Sequence, residues 1–192
     1  MQQASRRRFA AVLLAGVAFA VPAMAQDESA LIQGRAQVRE AAQEGLAMLY
    51  EVQPSARFAI EHAAGYAVFS TFGVKLLFAG GQQGKGVVVN NRTHRQTFMR
   101  MVGVQAGLGF GVAKTRLVFV FETASALDNF VNQGWEFGAS TSVSAMASGQ
   151  GGMLTGAASV MPGVYVYQLT DTGLAAAITA TGTKFFRDDA LN

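Results

Sequence analysis

The sequence has no cysteine, three prolines and two histidines among its 192 residues. Without cysteine there is no disulfide framework, no thiolate metal site and no lipidated cysteine behind a leader. His62 and His94 are the only imidazoles, and neither has a second ligand at helical or hairpin spacing, so no metal is expected. Charge is sparse, at 14% of residues, and acid is missing outright from residues 62–121. No carboxylate pair stands out for general acid–base work, and no catalytic residue is singled out. What remains is a chain that is 51% hydrophobic and long enough to fold around its own core as one domain.

The amino terminus reads as an address rather than as fold. Arg6, Arg7 and Arg8 precede an apolar stretch over residues 9–21, too short for the roughly 20 apolar residues a membrane span needs. Ala23-Met24-Ala25 supplies small residues where a signal peptidase reads, which predicts cleavage before Gln26 and a periplasmic location. Ser5-Arg6-Arg7-Arg8-Phe9 resembles the twin-arginine export motif, with Ala10 where a leucine is usual. An ordinary secretory signal holding three arginines is the other reading.

Removing the signal changes the charge balance. Of 15 basic and 12 acidic residues, three basic ones lie in the leader, so the mature chain is neutral overall. Residues 26–61 carry six acids and three bases, and residues 122–192 six acids and two bases. Between them lie seven bases: Lys75, Lys85, Arg92, Arg95, Arg100, Lys114 and Arg116. A positive middle between negative ends suits an anionic surface or self-association. Nucleic acid is not expected in the periplasm. Anionic lipid headgroups are present there, and each basic residue beside them contributes about 1 kcal/mol. The competing use of the seven is a solvated face balanced by the acidic ends.

Apolar residues at Leu31, Val38, Ala42, Leu49 and Val52 predict an amphipathic helix over residues 27–52, capped by Asp27 or Ser29 and closed by Pro54. A second short helix is expected over 55–63. From Gly65 the texture becomes strand-like: 66–72, 75–79, 85–90, 102–112, 117–122, 137–146, 164–169 and 175–185. One helix interrupts, with Thr123 as its cap and Leu127 and Phe130 on its apolar side. Residues 148–159 are the expected loop. The outline is α+β: helices first, then an antiparallel sheet that curls into a barrel-like shape.

Three glycine patterns invite chemistry, two of them nucleotide binding and one nucleophilic catalysis, and each fails. In LLFAGGQQGKGVVVNN, residues 76–91, counting back from Gly84-Lys85 puts Ala79 where a phosphate loop needs glycine. Gly86 stands where it needs a hydroxyl. Gly80, Gly81 and Gly84 are expected as turn residues between antiparallel strands. GLGFG at 107–111 lacks the third glycine of a dinucleotide fingerprint, since Val112 occupies that place. GASTS at 138–142 lacks the last glycine of a nucleophile elbow. The odd numbers of Gly103, Gly107, Gly109 and Gly111 would place all four on one face of a single strand. That face would admit a packed element or, as a ligand site, an acyl chain.

AGYAVFSTFGV (64–74), GGQQGKGVVV (80–89), VGVQAGLGFGV (102–112), WEFGASTSVSA (135–145) and the stretch from Val164 to Asn192 resemble the SYLF-domain family. The resemblance covers about residues 54–192, leaving 26–53 as a preceding helix and 1–25 as the signal. It implies an antiparallel, barrel-like sheet carrying helices. In eukaryotes the family is similar to a phosphoinositide-binding module, coupled in some members to actin, and bacterial relatives look like exported envelope proteins. RQTFMR at 95–100 replaces the family's usual tryptophan–serine–any–proline segment, so contacts made by that segment do not carry over. The expected function is non-catalytic binding of an anionic phospholipid or membrane surface through the seven bases, without a cofactor. An envelope scaffold that binds protein is the alternative.

Overall fold

The computed structural model describes residues 23–76, 79–106, 111–137, 154–175 and 182–192. Helix α1 (Ala23–Val52) leads into α2 (Ser55–His62), with Pro54 between them. Four long strands follow: β1 (Gly65–Leu76), β2 (Ala79–Asn90), β3 (Gln96–Ala106) and β4 (Gly111–Phe121). Helix α3 (Ala124–Gln133) then precedes β5 (Trp135–Phe137), β6 (Ala158–Met161), β7 (Val164–Thr170), β8 (Gly173–Leu174) and β9 (Thr183–Arg187). All pairings are antiparallel, in the order β5-β9-β3-β2-β1-β4-β7-β6, with β8 added on β7. The α+β class and the barrel-like curl expected from the sequence are both present, the sheet forming a half-barrel.

Each face of the sheet has its own core, as period-two alternation requires. On one face, Val68, Val87, Phe98, Val118 and Tyr167 lie in one cross-strand row beneath α1. Helix α1 answers with Val38, Ala42 and Leu49, all buried, and with Leu31 partly so. Gly45 lets it approach: a Cβ there would lie 3.1 Å from Val68 Cγ1 and 3.4 Å from Arg116 Cδ. On the other face Phe69, Phe119, Phe121 and Phe185 gather around Phe130 of α3, with ring centroids 5.2–6.1 Å from it. Trp135 closes that cluster at 4.7 Å from Phe130. Thr123 caps α3, its hydroxyl accepting from Ala126 N at 3.2 Å. The Asn91 side chain donates to the carbonyls of Ile60 and Ala63, tying the end of α2 to the sheet.

Several expectations need correction. Helix α1 starts at Ala23, so Asp27 and Ser29 lie inside it rather than capping it; Ala23, Met24 and Ala25 are good helix formers. Val52 ends the helix exposed, outside the buried stripe. The segment 66–72 runs on through Gly73 as one strand to Leu76, while Ala79, expected in the next segment of that run, opens β2, and 77–78 lie outside the described residues. Gly80, Gly81 and Gly84 are not turn residues but members of β2, and none has positive φ. At Gly84 a Cβ would lie 2.8 Å from the Ser70 carbonyl, so close strand approach explains that glycine. The segment 102–112 is two strands, the end of β3 and the start of β4, joined through 107–110. Residues 138–146 of the expected strand 137–146, residues 148–153 of the expected loop 148–159 and residues 176–181 of 175–185 lie outside the described residues, and the end of that loop, Ala158 and Ser159, is instead the start of β6.

Two predictions test this core. Gly86→Val places side-chain atoms where Phe69 Cδ1 and the Val68 carbonyl are already 2.5 Å from an added Cβ, whereas Gly81 has nothing within 4 Å. In denaturant titrations Gly86→Val should lose about 3 kcal/mol or more and Gly81→Val less than about 0.5 kcal/mol. Second, the Tyr167 hydroxyl is buried without a partner, and burial pushes its pKa from 10.0 up to about 12. Between those values the native state holds a proton that the unfolded chain has lost, so stability falls as pH rises. The loss across that window is about 2–3 kcal/mol. Tyr167→Phe should leave stability at pH 7 unchanged or higher and should flatten this decline in melts from pH 9 to 12.

Candidate functional site

Strands of eleven or twelve residues reach roughly 36–40 Å, further than α1 covers. The register therefore prints a series of rows on the α1 face. Beyond the buried row at Val68 comes Arg100–Lys85–Ser70–Arg116, and beyond that Val102–Gln83–Phe72–Lys114. The last row is Val104–Gly81–Val74–Val112. Val104 and Val112 are 67% and 65% exposed, and Phe72, Val74 and Val102 lie between 36% and 42%. Residues from three separate strands thus form one exposed apolar end, with cations set behind it.

The cations there are mostly unbalanced. Lys85 and Arg100 are direct cross-strand neighbours and both are exposed. Arg116 alone of the four meets an acid, Glu44 of α1 at 3.5 Å, and its Nε is buried without a partner. Lys85, Arg100 and Lys114 have no carboxylate within 4.0 Å among the described residues. A shallow cleft of about 250 Å³ runs between Lys85 and Arg100, lined also by Gln83, Gly84, Met101 and Val102. Such an end can lie on an anionic surface with its apolar row buried and its cations level with the charges.

Of the seven bases read from the sequence, the fold gathers Lys85, Arg100, Lys114 and Arg116 here. Arg92 and Arg95 lie at the opposite end of the sheet, in the connection from β2 to β3. There Asn90 Oδ1 accepts from the Arg92 and Thr93 amides at 3.0 Å. Lys75 is in β1, opposite Gly80 and Gly111, and its side chain lies outside the described residues.

The glycine face expected as an acyl slot is not one strand. Gly103 belongs to β3 and Gly111 to β4, separated by β2 and β1, while Gly107 and Gly109 lie outside the described residues. At Gly103 the space for a Cβ is taken by Gln82 and by Thr183 Oγ1 at 3.0 Å, and only Gly111 stands open. Sequence reading missed the valine row, because positions 74, 104 and 112 become neighbours only through pairing. The available signal was a strand alternation that ran on past the span of the covering helix.

Among the described residues no helix is long and apolar enough to cross a membrane, and no three potential metal ligands converge.

Comparison with known proteins gives two matches. Residues 102–192 fit the model of a family described as Ysc84, Las17-binding protein actin regulator. That stretch begins inside β3 and holds Val102, Val104, Val112, Lys114 and Arg116, while Phe72, Val74 and Lys85 precede it. The chain is also 33% identical over 159 residues to beta cell expansion factor A of Aeromonas veronii. The alignment takes in 83% of this chain and 59% of that protein, so the chain spans well under two thirds of its relative.

The Lys85–Arg100 neighbourhood predicts an inverse effect on stability and on use. Like charges directly opposite one another in a sheet destabilise it, and opposite charges stabilise it. Lys85→Glu should therefore keep or slightly raise stability, by up to about 1 kcal/mol in denaturant titration. A loss of several kcal/mol would show that Lys85 has a structural partner.

Proposed function

We propose, on the footing that the chain belongs to the SYLF (Ysc84) family, that it is a non-catalytic exported protein that binds anionic phospholipid with the bare end of its sheet. One observation carries the reading: the exposed row Val104–Gly81–Val74–Val112 ends a face whose next rows bring Lys85, Arg100, Lys114 and Arg116 together. The row at Lys85 stands four residues behind the valine row, roughly 13 Å along the strands. Apolar elements at a membrane surface enter about 5–10 Å. The valines then reach the acyl boundary while the long basic side chains stay level with the headgroups.

The magnitudes suit reversible attachment. Four bases at about 1 kcal/mol each give a few kcal/mol that salt removes. Burying an exposed valine adds roughly 1.5 kcal/mol at most. Neither term suffices alone. The leader with its small residues at Ala23 and Ala25 supports a periplasmic setting, where phospholipid headgroups are present. The description attached to the family model names a protein-binding role. An envelope protein partner is accordingly the reading that takes over if lipid binding fails.

The test is sedimentation of the chain from Gln26 onward with vesicles of graded anionic content. Binding should rise with anionic lipid and fall between low and high salt. Val104→Ser with Val112→Ser should weaken it about tenfold or more at fixed composition, and Lys85→Glu should weaken it and make its dependence on anionic lipid and salt shallower. Binding indifferent to salt and to both variants would sink the proposal.

A further inference from the structure

A second group of cations lies at the other end of β3, in a place the lipid reading does not use. Arg35 and Arg39 stand four residues apart on α1, where like charges repel. Both guanidinium groups lie over the Phe98 ring, 5.8 and 5.3 Å from its centroid. Each is held by its Nε alone, Arg35 donating to the Leu191 carbonyl and Arg39 to Gln96 Oε1, both at 2.7 Å. The two terminal amino groups of each fork make no hydrogen bond to any described residue.

Arg95 and Arg187 complete the lining of a cleft of about 280 Å³ with these two, beside Phe98 and the buried Thr97. Its wall is fixed. Asn192 Oδ1 accepts from Phe98 N at 3.0 Å, and its Nδ2 donates to the Phe98 and Asp188 carbonyls. Four arginines line one small space with no carboxylate within 4.0 Å of their guanidinium groups among the described residues, two of them oriented by an aromatic ring and by their own Nε bonds.

We infer that this cleft binds a phosphate-bearing anion, its oxygens taken by the paired amino groups of Arg35 and Arg39 and by Arg95 and Arg187. Guanidinium forks match phosphate oxygens two at a time, and fixing them beforehand removes the ordering cost. The volume admits one or two phosphate groups, with the remainder of the ligand outside. An adjoining cleft of about 310 Å³ shares Arg95, Thr97 and Arg187 and adds Arg92, Asn132 and Asp128, which offers that remainder both donors and an acceptor. The site is separate from the apolar end: Phe98 and Val104 lie six residues apart on β3, roughly 20 Å. Arg100 stands between the two and belongs to the first.

The experiment is calorimetric titration of the purified protein with pyrophosphate at constant ionic strength, beside Arg39→Gln/Arg187→Gln and the exposed single change Arg95→Gln. Saturable binding by the parent is expected, weakened about tenfold or more by the double change and less by the single one. The pair Val104→Ser/Val112→Ser should bind pyrophosphate normally, so loss of vesicle binding does not touch this site. A second arm uses vesicles carrying phosphomonoester headgroups. Capture there that depends on Arg39 and Arg187, without pyrophosphate binding, identifies the source of the phosphate as lipid. Melting curves without ligand check that each variant is folded, and Arg95→Gln serves if the double variant is not. Equal pyrophosphate binding by parent and arginine variants, or no arginine-dependent binding of either probe, overturns the inference.

Discussion

Four strands held in one unbroken register, β3-β2-β1-β4, are the constraint on which the rest of the molecule depends. Each row across them is fixed by the same ladder, so a slip of one residue in any strand would send its side chains to the opposite face and into the wrong core. Phe69 packs against Gly86 on the α3 face, and Val68 packs beneath Gly45 of α1 on the other. Those two contacts come from adjacent residues of one strand, so the two cores pin the same alignment from opposite sides. The alignment then extends past both cores. The rows at residues 72–74 and 102–104 inherit their positions from packing that happens further along the strands.

This extension explains why the site was only half legible. The helices were readable because their signals are local: spacing in α1, Pro54 before α2, the Thr123 cap on α3. The basic residues were readable as a run in sequence, but a run along four strands is not a place in space. Pairing sorted the seven into four beside the valines, two at the far turn and one whose side chain is not described. Reading 102–112 as a single strand failed for a related reason. From Val102 to Val112 glycine and apolar residues alternate with Gln105 as the one break, and no asparagine or proline marks the change of strand. Gly80, Gly81 and Gly84 misled in the opposite direction, since glycine inside a strand marks close approach as readily as it marks a turn.

Helix α1 separates the cations into two groups. It runs across the sheet from the β3 edge, where Arg35 and Arg39 cover Phe98, to the β4 side, where Glu44 meets Arg116. Its acids are spent on solvent and on Arg116, not on the arginine cleft. Apolar exposure at its far corner, at Val52 and Phe58, is smaller in extent, and Phe58 is partly covered by stacking on His62 at 3.7 Å.

Among the described residues β4 pairs with β7 only from Arg116 onward, and no described strand pairs with residues 111–115 on that side. Such a flank is a template on which a sheet can grow from molecule to molecule. Lys114 sits in the middle of it, next to Val112. Two copies brought flank to flank would press their lysines together, so the charge that suits an anionic surface also guards the chain against polymerising.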